Sequence, residues 1–263
     1  MDWLSSLPLW TLVVGWLGLA VLVALVGRLA IRALVPAAEY DDVQRIASPL
    51  MPALGAAFAI FTALTLSSEA GYLRAAEGLV SDEAAAASRL AWATTSPGVQ
   101  SESIQSALRD YLQTTRAREW RGERASSGDD PVAGHAIARL ERVVRTEAAR
   151  SELGTPPSSE LLVSMDAVTS GRRARVAAAS REIPALYVVT LLASGLALIA
   201  NAGALAVRSS VRTSTLVLGL AGVVGLSLAL LFSLTAPWRG PLTVSGHPID
   251  AIVRDLQTGF FDS

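Results

Sequence analysis

The chain has no cysteine and no lysine. The first absence excludes disulfides, thiolate metal sites and a cysteine nucleophile. The second removes Schiff-base lysine chemistry and the lysine of a phosphate-binding P-loop, and it makes all 22 basic residues arginine. Histidine is scarce: His135 and His247 fall in a predicted soluble helix and in the C-terminal tail. Neither has a histidine or carboxylate partner at metal-ligand spacing on its own helix. There is no GxSxG, HExxH or glycine-rich phosphate loop. A net charge of −1 supplies no broad field for nucleic acid. No catalytic residue, metal, cofactor or nucleic-acid partner is expected.

What the chain has instead is apolar length. Of its 263 residues 51% are hydrophobic, and the mean hydropathy is +0.43, which points to a membrane protein. Four stretches are long enough to cross a bilayer, at about 8–30, 50–70, 183–207 and 213–236. The first is preceded by MDWLSSL, which carries an acid and no arginine, and its apolar run is too long for a signal peptide. It reads as a retained span, with Trp3 and Trp10 as interface anchors.

The expected fold is all-α. Residues 1–71 form a first transmembrane hairpin turning through PAAEYDDVQRIASP, and 183–236 form a second turning through RSSVRTS. Residues 72–182 make a helical extramembrane domain, and 237–263 a C-terminal tail. The middle domain holds 15 arginines and 15 acids and is rich in alanine. Its first helix continues the second span without a breaker to about Thr95. Others cover about 101–121 and 131–152, the latter with Ile137, Leu140, Val144 and Ala148 on one stripe. A last one, capped by Ser158 or Ser159, runs through Leu161, Met165 and Val168 into the third span. The bundle is thus built partly from extensions of membrane helices 2 and 3, and an even number of spans puts it on the same side as both termini. Arginines beside the short turns favour an external bundle, whereas counting every juxtamembrane arginine reverses that reading.

Phe58, Thr62, Thr65, Glu69 and Tyr72 are spaced four, three, four and three, so they share one helical stripe. Of these, Phe58, Thr62, Thr65 and Glu69 are candidate pore-lining positions. The competing reading has the threonines bonding back to the preceding turn and mediating helix packing, with Glu69 an acid at the membrane interface. Arg28 and Arg32, one turn apart at the end of the first span, are expected to snorkel to headgroups. Asn201 is expected to bond a neighbouring helix. Arg172, Arg173 and Arg175 form a candidate basic collar for anionic lipid or permeating anions, and an ordinary solvated face is the competing reading. Trp120, beside Glu119, reads as a packing anchor.

Four local marks occur in order: EAGYLRAAEGLVSDEAAAASRL after the second span, LRDYLQTTRAREW, GRRARVAAASREIPALY entering the third, and APWRGPLTV after the fourth. Together they resemble the bestrophin-like family of bacterial membrane proteins, over nearly the whole chain. Ala236 and Trp238 flank Pro237 where the family suggests an arginine and a phenylalanine, and Arg118 stands where an acid is commoner. A looser likeness to true bestrophins implies a pentameric anion channel in the plasma membrane, with a cytoplasmic helical domain and the second membrane helix lining the pore through Phe58, Phe61, Thr62 and Thr65. The calcium clasp of animal bestrophins does not carry over, since Asp250, Asp255 and Asp262 are widely spread. The expected function is therefore an oligomeric ion channel or channel-like permease for inorganic anions. The alternative is a membrane-anchored helical sensor or scaffold without transport.

Overall fold

A computed structural model describes residues 9–120, 129–180, 185–207, 211–234, 238 and 243–261. Trp3, the loop GERASSG, the start of the turn RSSVRTS and all of APWRGPLTV except Trp238, Thr243 and Val244 lie outside the described residues. The helices are α1 (Leu9–Leu34), α2 (Tyr40–Ala93), α3 (Ser101–Glu119), α4 (Pro131–Ala148), α5 (Thr155–Ala179), α6 (Ala185–Leu205), α7 (Val211–Leu234) and α8 (His247–Gln257). A single turn of 3-10 helix, Ala37–Glu39, joins α1 to α2. Four of these helices are long and apolar enough to cross a membrane: α1, α2, α6 and α7. The chain divides into two compact units: Met1–Gly71, Glu182–Ala236 and Gly240–Leu242 in one, Tyr72–Arg181, Pro237–Arg239 and Thr243–Ser263 in the other.

In the membrane unit α1 packs against α6 and α7. Helices in lipid gain little from apolar burial and rely on close backbone approach, which small residues permit. Two glycines show this. A Cβ on Gly203 of α6 would sit 2.8 Å from the Ala24 carbonyl oxygen of α1, and one on Gly225 of α7 would sit 3.0 Å from that of Trp16. Ala20, Ala24, Phe58, Leu191, Leu198, Val224 and Leu231 fill the interior, and Trp16 stacks on Phe232 at 4.7 Å. Leu22, Leu25, Val26 and Leu29 face outward, as a lipid-facing surface requires.

Helix α2 is 54 residues long, about 81 Å by helical rise, and contains Pro49 and Pro52. It starts ten residues before the expected second span, so the stretch 40–49 is helix and not turn. Each proline removes one N–H donor and crowds a carbonyl a turn earlier, which bends a helix but does not have to end it. Asn201 of α6 donates to the Ala47 carbonyl at 2.9 Å, two residues before the first of them.

In the bundle unit α2, α3, α4 and α5 enclose a core of Val80, Ala87, Leu90, Ile104, Leu108, Leu112, Leu140, Val144, Leu161 and Val168. Asp130 caps α4 by accepting from the backbone N–H groups of Val132 and Ala133, with Pro131 in the first turn. Helix α5 starts earlier than the expected serine cap, at Thr155, because Pro156 and Pro157 fit a first helical turn whose N–H groups have no intrahelical partner anyway. The tail contains a helix that the sequence reading passed over: α8 packs on α3 and buries Ile249 and Leu256.

Candidate functional site

Helix α2 carries the membrane candidates, and its orientation separates them. Phe58, Thr62 and Thr65 are buried within the protomer. The Phe58 ring lies against α6, where a Cβ on Gly195 would meet it at 3.2 Å. Thr65 donates its hydroxyl to the Phe61 carbonyl one turn back at 2.7 Å. The Thr62 hydroxyl, by contrast, is buried without a hydrogen-bond partner among the described residues. Glu69 is also inside the protomer, at 4% exposure and with a partner. Phe61 is the exception at 39% exposure. Of the other exposed positions on this part of α2, Pro52, Ala53, Ala56, Ala59, Ala63, Ser67 and Ser68 are small, whereas Ile60 at 57% and Leu64 at 65% are large.

The arginine triplet does not form a collar. Only Arg173 is exposed. Arg172 and Arg175 turn inward because Gly171 lets α5 approach α2 closely: a Cβ there would lie 3.1 Å from the Glu83 Cα. Arg175, 1% exposed, is bonded through Nε to Glu83, and its Nη2 lies 3.3 Å from the second Glu83 oxygen. The same Nη2 is 2.7 Å from Glu119 Oε2, as an ion pair and not an aligned hydrogen bond. Arg172 donates to the other Glu119 oxygen at 2.7 Å. The Tyr111 hydroxyl donates to Glu83. Burial, with the Glu83 charge behind it, pushes the Tyr111 hydroxyl well above its ordinary value. Burial works against the Arg175 charge, and the Glu83 and Glu119 carboxylates more than reverse this, so its pKa is raised.

Trp120 joins this network to the tail. The Arg175 guanidinium lies 5.0 Å from its ring centroid and that of Arg116 5.3 Å. Trp120 donates Nε1–H to the Val244 carbonyl at 3.0 Å and meets Trp238 edge-on at 5.7 Å. Arg116 makes a forked pair with Asp250 of α8 at 2.7 and 2.8 Å. Two acids and two arginines balance each other, which suits a clamp and offers no free nucleophile or general base. Glu83 and Glu119 were the residues that sequence reasoning missed as a site. The available signal was that Glu83, in SDEAAAASRL, falls on the same helical stripe as the apolar Val80, Ala87 and Leu90.

An open polar groove of about 570 Å³ lies between α3 and α4, lined by Gln100, Ser103, Arg139, Arg142, Val143, Thr146 and Glu147. Glu147 is committed to the Gln100 N–H and to Arg150, and Arg139 to Asp110. Among the described residues no three metal-ligating side chains cluster.

Four apolar helices, one of them running on into a clamped helical bundle, define a multi-pass membrane protein. The Bestrophin-like domain profile matches residues 18–249, and the chain belongs to that family. Among solved structures it is similar to a variant of a bacterial Bestrophin homologue from Klebsiella pneumoniae, with a TM-score of 0.72 at 13% identity, covering 93% of this chain and 99% of that one. A second structure of the Klebsiella homologue gives 0.71 at 12% identity, covering 93% and 97%. At that identity the likeness concerns the fold. A search of curated protein sequences finds no match.

Proposed function

We propose that the chain is a homo-oligomeric ion channel in which copies of α2 surround the conducting path. The observation that carries this reading is the outward face of α2. Large aliphatic side chains cover the outer side of α1, as lipid contact favours, whereas this face of α2 is small except for Ile60, Phe61 and Leu64. A helix face of this kind suits a neighbouring copy or a lumen better than lipid. Phe61 forms the apolar constriction, and Phe58, Thr62, Thr65 and Glu69 form the wall behind it that fixes the helix. Apolar constrictions gate by dewetting, so widening one raises conductance. Family membership supports inorganic anions as the permeant species and a cytoplasmic bundle, with pentamers by resemblance.

Purified protein in planar bilayers is expected to conduct, with Phe61→Ala raising single-channel conductance severalfold and a reversal potential that follows the anion gradient. A stable monomer without conductance would overturn the proposal. Labelling of Ser106→Cys, an exposed position on α3, only after cells are permeabilised would place the bundle in the cytoplasm. A second reading, a membrane-anchored sensor, draws on the 54-residue α2 shared by both units. Absence of current together with recovery of a stoichiometric partner by cross-linking would favour it.

A further inference from the structure

The arginines at the end of α1 remain unexplained by packing within the protomer. Arg28 sits where α6 crosses α1 most closely, and a Cβ on Gly203 would lie 3.3 Å from its backbone nitrogen. Its side-chain Nε is buried and has no hydrogen-bond partner. One turn on, Arg32 donates a single Nη2–H to the Val207 carbonyl past the end of α6 at 3.0 Å. No carboxylate among the described residues pairs with either. Asp42 faces Arg45 at 3.7 Å, and Asp41 has a contact of its own. An unsatisfied buried guanidinium nitrogen is costly, so a ligand that accepts hydrogen bonds and carries negative charge is called for.

Depth and surroundings say which ligand. Trp10, 68% exposed, marks one end of α1. Arg28 is eighteen residues further on, about 27 Å by helical rise, against a hydrocarbon layer of about 30 Å. It therefore lies at the opposite headgroup level. Leu22, Leu25, Val26 and Leu29 are exposed beside it, a surface for acyl chains and not for a soluble anion.

We propose that Arg28 and Arg32 form an interhelical site for the phosphodiester of an acidic phospholipid, whose chains lie along the exposed leucines of α1. The guanidinium of Arg28 is held by the α1–α6 crossing, and Arg32 supplies the N–H groups that Val207 leaves free. The site belongs to one protomer and does not depend on conduction.

Native mass spectrometry of the delipidated full chain, titrated separately with phosphatidylglycerol, phosphatidylcholine and inorganic phosphate, tests it. Phosphatidylglycerol is expected to bind at least tenfold more tightly than phosphatidylcholine. A juxtamembrane arginine contributes roughly 1 kcal/mol to acidic-lipid binding, so Arg28→Gln and Arg32→Gln are each expected to weaken it about fivefold. Arg173→Gln, in the bundle, is expected to change nothing. Should Arg28→Gln fail to fold, Arg28→Lys must keep the preference, and Arg32→Gln carries the loss. Equal affinity for the two lipids, unaltered binding in Arg32→Gln, or displacement of the lipid by millimolar inorganic phosphate would each overturn the assignment, the last in favour of a free-anion site.

Discussion

In the membrane unit polar side chains reach for backbone carbonyls. Arg32 donates to Val207, Gln44 to Leu205, Asn201 to Ala47 and Thr65 to Phe61. In the bundle they reach for each other, through Glu83, Arg175, Glu119, Arg172 and Tyr111. Both arrangements bury polarity, but they fail differently. A carbonyl inside a helix, such as that of Ala47 or Phe61, keeps its helical bond when it loses an extra donor. A buried carboxylate that loses its arginine becomes an uncompensated charge. Specificity in the bundle is therefore concentrated in a few charges, and in the membrane unit it is spread over glycine contacts and second-acceptor bonds.

The largest expected effect breaks the charged side of this contrast. Arg175→Met should destabilise the bundle by about 3–5 kcal/mol, since Glu83 and half of Glu119 lose their counter-ion. Chemical unfolding followed by tryptophan fluorescence would report it, because Trp120 lies against Arg175. Restoring most of the loss with Glu83→Leu on top of Arg175→Met would show that the cost lies in the orphaned acid. A loss under 1 kcal/mol in the single variant would remove the clamp from the account.

Next in size is the packing side. Gly203→Val places a Cβ 2.8 Å from the Ala24 carbonyl oxygen, a backbone atom that has no rotamer to relieve it. Overpacking of this kind costs about 1–3 kcal/mol. Thermal unfolding in detergent should show the loss, while Gly15→Val, which meets nothing within 4 Å, should leave stability unchanged. Equal loss in both would mean that helix propensity and not contact is being measured.

Tyr111→Phe sharpens the comparison through pH. The hydroxyl donates to a charged acceptor, and removing it should cost about 1.5 kcal/mol at neutral pH. The folded-state pKa of Tyr111 is raised, so the folded bundle holds this proton where the unfolded chain releases it. Its stabilisation is complete below the unfolded value near 10 and is lost as pH rises above it. Wild-type stability should fall more steeply above pH 10 than that of Tyr111→Phe, measured by denaturant titration at stepped alkaline pH. Parallel curves would show that another group governs the alkaline limb.

Much of this fold was legible because membrane spans and amphipathic stripes are repetitive signals. Leu140 and Val144 announce a buried face by spacing alone, and 20 apolar residues announce a span. What was not legible depended on rotation or on a partner. Phe58 falls on the Thr62–Thr65 stripe in any helix, but that its ring meets Gly195 is set by α6, which is distant in sequence. Arg172 and Arg175 look like solvated charge until Gly171 brings Glu83 against them. Pro49 reads as a break because sequence shows the lost donor and not the Asn201 side chain that bonds the neighbouring carbonyl.

Asn201→Ala gives the smallest expected effect and tests that last point most directly. Its amide donates to Ala47 at 2.9 Å, between α6 and the proline-containing part of α2. Interhelical hydrogen bonds in membranes average about 0.6 kcal/mol, because polar groups find other partners when a contact is lost. Asn201→Ala should therefore cost about that much, well below Arg175→Met, despite deleting a bond between helices 154 residues apart in sequence. Asn201→Asp distinguishes donor from shape: the carboxylate has the same size but presents no N–H to a carbonyl, so it should cost clearly more than alanine. If aspartate were tolerated as well as alanine, the amide would be filling space, and α2 would pass through Pro49 and Pro52 without help from α6.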